Sequence, residues 1–147
     1  MKKLIPPVLL VLSAVTMVTL HFAFPIKSLI FFPFNLLGLI PILLGLSFAK
    51  KASTQFSQVD TEIHTFRNPR QLVTQGLFRY SRNPIYLGFL MVLLGLTILL
   101  GSVSSFLPVI AFFGAAQFWY IPFEERKMKK QFGQAYDDYK KAVRRWL

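Results

Sequence analysis

Four blocks of apolar residues dominate the chain, and the charged residues lie before, between and after them. The blocks cover residues 4–24, 28–49, 84–100 and 104–121, and none of them contains Asp, Glu, Lys or Arg. A helix needs about 20 apolar residues to cross the hydrocarbon core of a bilayer, with a range of about 17–25. Because lipid offers the backbone no hydrogen-bond partners, such segments must be helical. The pattern predicts an all-α integral membrane protein with about four transmembrane helices.

The order of the blocks predicts a single membrane domain over residues 1–147. Residues 1–49 form an N-terminal helical hairpin, and residues 84–121 form a second hairpin that turns at Gly101. The polar segment between them, residues 50–83, is too long to be a simple connection, and the positive-inside rule makes it cytoplasmic.

The second apolar block contains residues that affect helix packing. Pro33 and Pro41 interrupt the helix, and Gly38 and Gly45 allow another helix to approach closely. Helix breakers are tolerated in membranes where neighbouring helices satisfy the freed carbonyl groups. We interpret all four residues as packing features.

Residues 122–147 predict an amphipathic helix at the membrane interface, because apolar and aromatic residues recur there at spacings of three and four. This face comprises Glu125, Met128, Phe132, Tyr136, Tyr139, Val143 and Trp146. Lysine residues cover the opposite face. The pattern indicates a helix that lies under the membrane or closes against the bundle.

The formal net charge of +11 would suggest a nucleic-acid partner in a soluble protein, but its distribution indicates a membrane partner. With four crossings, every basic residue except Lys27 lies on the same side. The positive-inside rule then makes both termini cytoplasmic, and such a surface favours anionic lipids. On the same distribution of charge we predict no nucleic-acid binding. The chain has no cysteine and no cluster of metal-ligating residues, so we also predict no metal site.

The segment RNPIYLG, residues 82–88, marks the start of the third predicted helix. Asn83 is a favourable N-cap residue, and Pro84 suits the first helical position. A helix N-terminus favours anions, and Gly88, one turn further, leaves room for a ligand. A capped helix with basic residues at the lipid surface is the alternative interpretation.

Two adjacent carboxylates, Glu124 and Glu125, follow Pro122 at the membrane boundary. Acidic residues in a first helical turn stabilise the helix dipole. They are also suited to bind an ammonium group, ribose hydroxyls or a sulfonium ion. His64, in the central segment, is a candidate base, although a single histidine seldom serves as one.

Two long motifs carry a resemblance to a known family. LVTQGLFRYSRNPIYLG (residues 72–88) and FEERKMKKQFGQAYDDY (residues 123–139) are similar to the signatures of isoprenylcysteine carboxyl methyltransferases and related phospholipid methyltransferases. The two motifs occur in the family's order, with a helical hairpin between them. The resemblance covers roughly residues 61–147, and the first two helices agree only in character.

The resemblance implies an S-adenosylmethionine site in the C-terminal half and methyl transfer to a lipid or other apolar acceptor that approaches laterally from the bilayer. The residues that it assigns to the cofactor are Arg82, Asn83, Pro84, Tyr86 and Gly88 on one wall, Glu124 and Glu125 on another, and Tyr136 and Tyr139 on the covering helix. It assigns no catalytic residue.

Asn83 departs from the family pattern, because enzymes that act on prenylated cysteine have His at this position. Asn cannot act as a base near neutral pH. On this ground we expect the acceptor to be a phospholipid amine, a small thiol or another apolar molecule rather than prenylcysteine. A carboxylate acceptor would need no base.

Two other functions are compatible with the sequence. Membrane sterol reductases resemble the C-terminal core but use a nicotinamide cofactor, whose phosphates would require basic contacts such as Arg79 and Arg82. A four-helix protein with a basic cytoplasmic face would also suit a non-enzymatic scaffold or accessory subunit. The paired glutamates and the short chain favour methyl transfer.

Overall fold

The computed structural model describes residues 5–24, 29–58 and 71–147. Its α-helices are α1 (Pro6–Ala23), α2 (Leu39–Gln58), α3 (Pro84–Leu100), α4 (Phe106–Ala115), α5 (Ile121–Phe132) and α6 (Gln134–Ala142). Short 3-10 helices cover Phe34–Gly38, Gly76–Arg79 and Val103–Ser105, and a π-helical turn at Ala116–Tyr120 joins α4 to α5. The predicted all-α membrane fold is confirmed.

Three stretches in the described part of the chain are long and apolar enough to span a membrane. They are Pro6–Ala23, Phe34–Gln55 and Val103–Phe132. Helix α3 is also apolar but is shorter, with 17 residues. Large apolar side chains point outward from these helices; Leu43, for example, is 64% exposed and Phe118 is 79% exposed. In water such a surface would be unfavourable, so lipid is its natural environment.

Helices α2 and α3 pack antiparallel through two pairs of glycines. Gly45 on α2 faces Gly88, and Gly38, in the 3-10 helix just before α2, faces Gly95, so the paired positions are seven residues apart in each segment. A Cβ atom on Gly95 would lie 2.5 Å from the carbonyl oxygen of Gly38, which is closer than any real contact of this kind. Small residues at such positions let two helix backbones approach closely, as is common in membranes.

The turn between α3 and α4 lies at the end of the bundle opposite the start of α3. Gly101 ends α3 with φ 68°, a left-handed conformation that favours glycine. His21, near the end of α1, lies with Nδ1 3.0 Å from Ser102 Oγ. The predicted turn position is confirmed. Because the end of α1 contacts this turn, α1 begins at the same end of the bundle as α3.

The largest differences from the predicted helix boundaries concern α2 and the C-terminal helix. α2 begins at Leu39, after the 3-10 helix Phe34–Gly38, whereas the apolar block begins at residue 28. α2 continues to Gln58, past the predicted end at residue 49, because the polar residues that follow the apolar block still form a regular helix. The predicted helix over residues 122–147 is divided at Gly133, whose φ of 53° does not fit a helix, and α6 ends at Ala142. The spacing pattern did not detect this break.

Substitution of Gly95 by Ala should reduce stability, because the new methyl group would press on the backbone of α2. We expect a loss of about 1–3 kcal/mol in the free energy of unfolding, measured by thermal unfolding in detergent. Gly114→Ala is the matched control, since nothing lies within 4 Å of a Cβ atom there. It should be neutral or slightly stabilising because Ala favours helix more than Gly. Equal stability of the two variants would contradict the close helix contact.

Candidate cofactor site

Three chain segments meet where α3 begins. They are the loop before α3, the first turn of α5, and the tail formed by residues 143–147. The backbone N–H of Arg82 donates a hydrogen bond to the carbonyl oxygen of Arg144 at 3.0 Å. The Asn83 side chain donates to the carbonyl oxygen of Arg145, also at 3.0 Å. The tail therefore lies against the loop with its carbonyl groups paired.

Glu125 is the charged centre of this meeting point. One of its carboxylate oxygens lies 2.8 Å from Arg82 Nη1, and both of them accept hydrogen bonds from Arg145, at 2.7 and 3.2 Å. The side chains of Arg82 and Glu125 are 8% and 12% exposed. Charge-assisted bonds of this forked kind are strong and directional, so Glu125 fixes both guanidinium groups.

One donor of the Arg82 guanidinium group has no partner in the protein. Its Nη1 also donates to the hydroxyl of Tyr136, at 3.4 Å, whereas its Nε is buried and has no hydrogen-bond partner. Leaving a buried donor unpaired costs about 1–3 kcal/mol. The two guanidinium groups also exceed the single charge of Glu125. A bound anion or oxygen-rich group would satisfy both conditions.

Glu124 points to a different partner from its neighbour. Its carboxylate accepts a hydrogen bond from the Tyr86 hydroxyl at 2.9 Å. The Tyr86 ring is buried on α3, and its centroid lies 6.4 Å from that of Tyr120. Adjacent helical residues point about 100° apart, so the two glutamates serve two separate contacts.

Two tyrosines on α6 pack over the site. The Tyr139 hydroxyl donates to the carbonyl oxygen of Phe78 at 2.7 Å, and Tyr136 packs in the same buried cluster. Burial raises the pKa of Tyr136, and the Coulombic effect of Glu125 raises it further. Burial also raises the pKa of Tyr139. Both phenols therefore remain protonated at neutral pH and act as donors or acceptors of hydrogen bonds, not as bases.

The start of α3 follows the predicted pattern, with a different role for one side chain. Asn83 occupies the N-cap position and Pro84 the first helical position, but the Asn83 amide does not cap the helix. It holds the tail, as described above. Gly88 faces α2, where an added Cβ atom would lie 2.6 Å from the carbonyl oxygen of Gly45. The structure therefore places Gly88 in the helix contact, away from the ion pair.

The tail contributes residues that sequence reasoning did not assign to the site. Besides Arg145, Trp146 donates from Nε1 to Gln117 Oε1 at 2.8 Å, and its ring stacks on Phe113 with centroids 5.3 Å apart. The sequence has few acidic residues, and a buried carboxylate needs a cation as its partner. A cationic partner for Glu125 could therefore be expected from the sequence. The sequence offered many cations and no means to choose Arg145.

The wide π-helical turn before α5 was also not predicted, although its cause is visible in the sequence. Pro122 has no N–H and its ring would clash with the carbonyl group of Phe118, four residues earlier. A wider turn accommodates the proline, and such turns are frequent at functional sites. The turn immediately precedes Glu124 and Glu125 and so sets their direction.

The described residues contain no group of His, Asp or Glu that could hold a metal ion. His64, the candidate base, lies outside the described residues. The fold and site define a class: a small helical membrane protein with a buried cluster of charged and polar residues at one end of the bundle. The comparisons with known proteins agree with this class. The sequence profile of the phospholipid methyltransferase family matches residues 34–135, and the chain belongs to that family.

Relatives with assigned names are isoprenylcysteine methyltransferases. The chain is 31% identical over 130 residues to protein-S-isoprenylcysteine O-methyltransferase B of Arabidopsis thaliana, covering 80% of this chain and 64% of that protein. It is 30% identical over 114 residues to a probable enzyme of the same name from Oryza sativa subsp. indica, covering 72% of this chain and 56% of that protein. The chain thus spans less than two thirds of the length of these relatives.

A solved structure shares the fold. It is that of a eukaryotic intramembrane Ras methyltransferase, an isoprenylcysteine carboxyl methyltransferase, and it superposes with a TM-score of 0.59 at 25% identity. The match covers 93% of this chain and 50% of that protein. The first hairpin, which agreed only in character by sequence, is therefore largely included in the structural likeness.

Replacement of Glu125 by Gln should destabilise the protein strongly, because it leaves two guanidinium groups without their counter-ion. Breaking a buried ion pair in this way costs about 3–5 kcal/mol. Asp138→Asn is the control: Asp138 is 62% exposed in its pair with Lys141, and an exposed pair contributes below about 1 kcal/mol. Thermal unfolding of both variants in detergent provides the comparison. Similar unfolding midpoints would show that Glu125 does not organise the site.

Proposed function

We propose that this protein transfers a methyl group from S-adenosylmethionine to a lipid or other apolar acceptor at the cytoplasmic face of the membrane. The observation that carries the proposal is the buried Arg82 guanidinium, which Glu125 holds at the start of α3 with its Nε unpaired. Membership of the phospholipid methyltransferase family supplies the reaction class. The cytoplasmic orientation rests on the positive-inside rule.

The chemistry of the donor set fits this cofactor. The unpaired Arg82 Nε suits a carboxylate, which the N-terminus of α3 also favours. Glu124, beside the Tyr86 hydroxyl, suits hydroxyl groups or a positive charge. S-adenosylmethionine, when bound, supplies a methyl group on a positively charged sulfur.

The protein's own contribution would be positioning and the exclusion of water. Holding two reactants in line can supply about 7–11 kcal/mol of a barrier. The tail covers the polar cluster through Trp146 and through the hydrogen bond that it accepts from Asn83. Helix α6 covers it through Tyr136, and both restrict access from water. The protonated tyrosines would orient the cofactor by hydrogen bonds.

The acceptor would enter from the bilayer, and the structure changes the argument about its identity. The Asn83 amide donates to the Arg145 carbonyl group and so holds the tail, and a carboxylate acceptor would in any case need no base at this position. The sequence-based reason for rejecting prenylcysteine therefore loses its physical basis. The names of the relatives favour a prenylated cysteine carboxylate, whereas that of the family also suggests a phospholipid amine.

Binding of S-adenosylmethionine and S-adenosylhomocysteine to the detergent-purified protein tests the cofactor. We expect saturable calorimetric binding to the parent and binding weakened by about 10–100-fold in Glu124→Gln, since a hydrogen bond to a charged group contributes about 1.5–3 kcal/mol. Asp137→Asn, on α6 and paired with Lys129, should bind as the parent does. Absence of binding by folded parent protein in lipid would refute the proposal, and binding of reduced nicotinamide instead would favour a reductase.

The acceptor can be identified by transfer of a labelled methyl group in proteoliposomes. The arms are a farnesylated cysteine, phosphatidylethanolamine and a short-chain thiol, each with labelled S-adenosylmethionine. We expect label in the lipid phase for one of the first two arms and none for the soluble thiol. Label in none of the arms, in protein that binds the cofactor, would exclude these acceptors.

A further inference from the structure

A groove with three basic residues in its lining lies at the same end of the bundle as the candidate cofactor site, on the other side of the Gly76–Arg79 turn. It has a volume of about 780 Å³ and is bordered by the cytoplasmic end of α2 and by the turn that leads to α3. Its lining residues are Ser47, Lys50, Lys51, Thr54, Gln55, Gly76, Leu77, Arg79 and Tyr80. None of them belongs to the candidate cofactor site.

The turn separates the two sites because its side chains point in opposite directions. Phe78 is buried toward α6, where its carbonyl oxygen accepts the Tyr139 hydrogen bond. Leu77 and Arg79 line the groove instead. The Gln55 side chain accepts a hydrogen bond from the backbone N–H of Leu77 at 3.3 Å and thereby joins the two walls of the groove. The groove is thus formed by tertiary structure and not by one helix alone.

The charge of the groove is positive and unbalanced. Lys50, Lys51 and Arg79 line it together with two hydroxyl-bearing residues of α2, and no carboxylate is among the described lining residues. In the described ranges 5–24, 29–58 and 71–147, all acidic residues lie on α5 and α6, where they pair with other partners. Within the part of the chain that the structure describes, these three cations have no counter-ion, and together they provide a site for an anion with several oxygen atoms.

The position of the groove selects the kind of anion. It opens where α2 leaves the apolar region, and the Tyr80 ring at its edge is 70% exposed. Tyrosine is typical of the membrane interface, where its ring meets acyl chains and its hydroxyl meets water. The cytoplasmic leaflet presents anionic phospholipids at this depth. We propose that the groove binds the phosphate-bearing headgroup of an anionic phospholipid.

Thermal unfolding of the full chain in detergent, with dioctanoyl phosphatidylglycerol as the probe, tests this site. The groove variant is Lys50→Gln with Lys51→Gln and Arg79→Gln. The matched control is Arg126→Gln with Lys130→Gln and Lys140→Gln, which removes the same charge from exposed residues of α5 and α6. Dioctanoyl phosphatidylcholine and inorganic phosphate are the other ligand arms.

We expect phosphatidylglycerol to raise the unfolding temperature of the parent and of the control in a saturable manner. The groove variant should need a lipid concentration higher by on the order of a hundredfold, since each cation near an anionic surface contributes about a factor of five in affinity. Equal responses of the two variants would show only general attraction to charge and would overturn the proposal. Inorganic phosphate or phosphatidylcholine acting as well as phosphatidylglycerol would also overturn it. The assay does not depend on the methyl donor.

Discussion

The ion pair of Glu125 with Arg82 and Arg145 connects three parts of the chain that are far apart in sequence: the loop before α3, the start of α5 and the tail. At the membrane boundary an unpaired carboxylate or guanidinium would be costly. Pairing of these charges avoids that cost and holds the segments that carry them together. The position of the polar cluster depends on this arrangement, and so do the positions of α6 and Trp146. The unpaired Arg82 Nε makes it a candidate for a ligand and not only a structural bridge.

The glycine contact between α2 and α3 determines where this cluster lies in the membrane. Gly45 and Gly88 bring the two backbones together near the charged end of the bundle, and Gly38 and Gly95 repeat the contact one heptad away. With this register fixed, α3 begins beside the polar end of α2, and the turn at Gly76–Arg79 fits between them. The candidate cofactor site and the groove therefore lie on opposite sides of one short turn. A shift of one helical turn between α2 and α3 would separate the cations of the groove.

The sequence predicted those features that depend on local physics. Apolar blocks gave the number of membrane helices, Asn83 and Pro84 gave the start of α3, and Gly101 gave its end, because each depends on the residue's own backbone preference or on the bilayer. The partners of side chains were not predictable in this way. The Asn83 amide bonds the tail and Gly88 meets Gly45, and both outcomes depend on segments brought close only by folding. The break at Gly133 was missed because the spacing of apolar residues continues across it, although a glycine is the usual residue for such a conformation.

The two adjacent glutamates show how one sequence motif provides two functions. Glu125 is fully engaged with guanidinium groups, so its removal would affect folding before it affected any ligand. Glu124 accepts a hydrogen bond from the neutral hydroxyl of Tyr86. A cationic or hydroxyl-rich part of a ligand is therefore better served by Glu124, and an anionic part by Arg82. A ligand that carries both kinds of group, as an amino-acid sulfonium does, would match the order of charges along the site. A uniformly anionic ligand would suit Arg82 but would not suit Glu124.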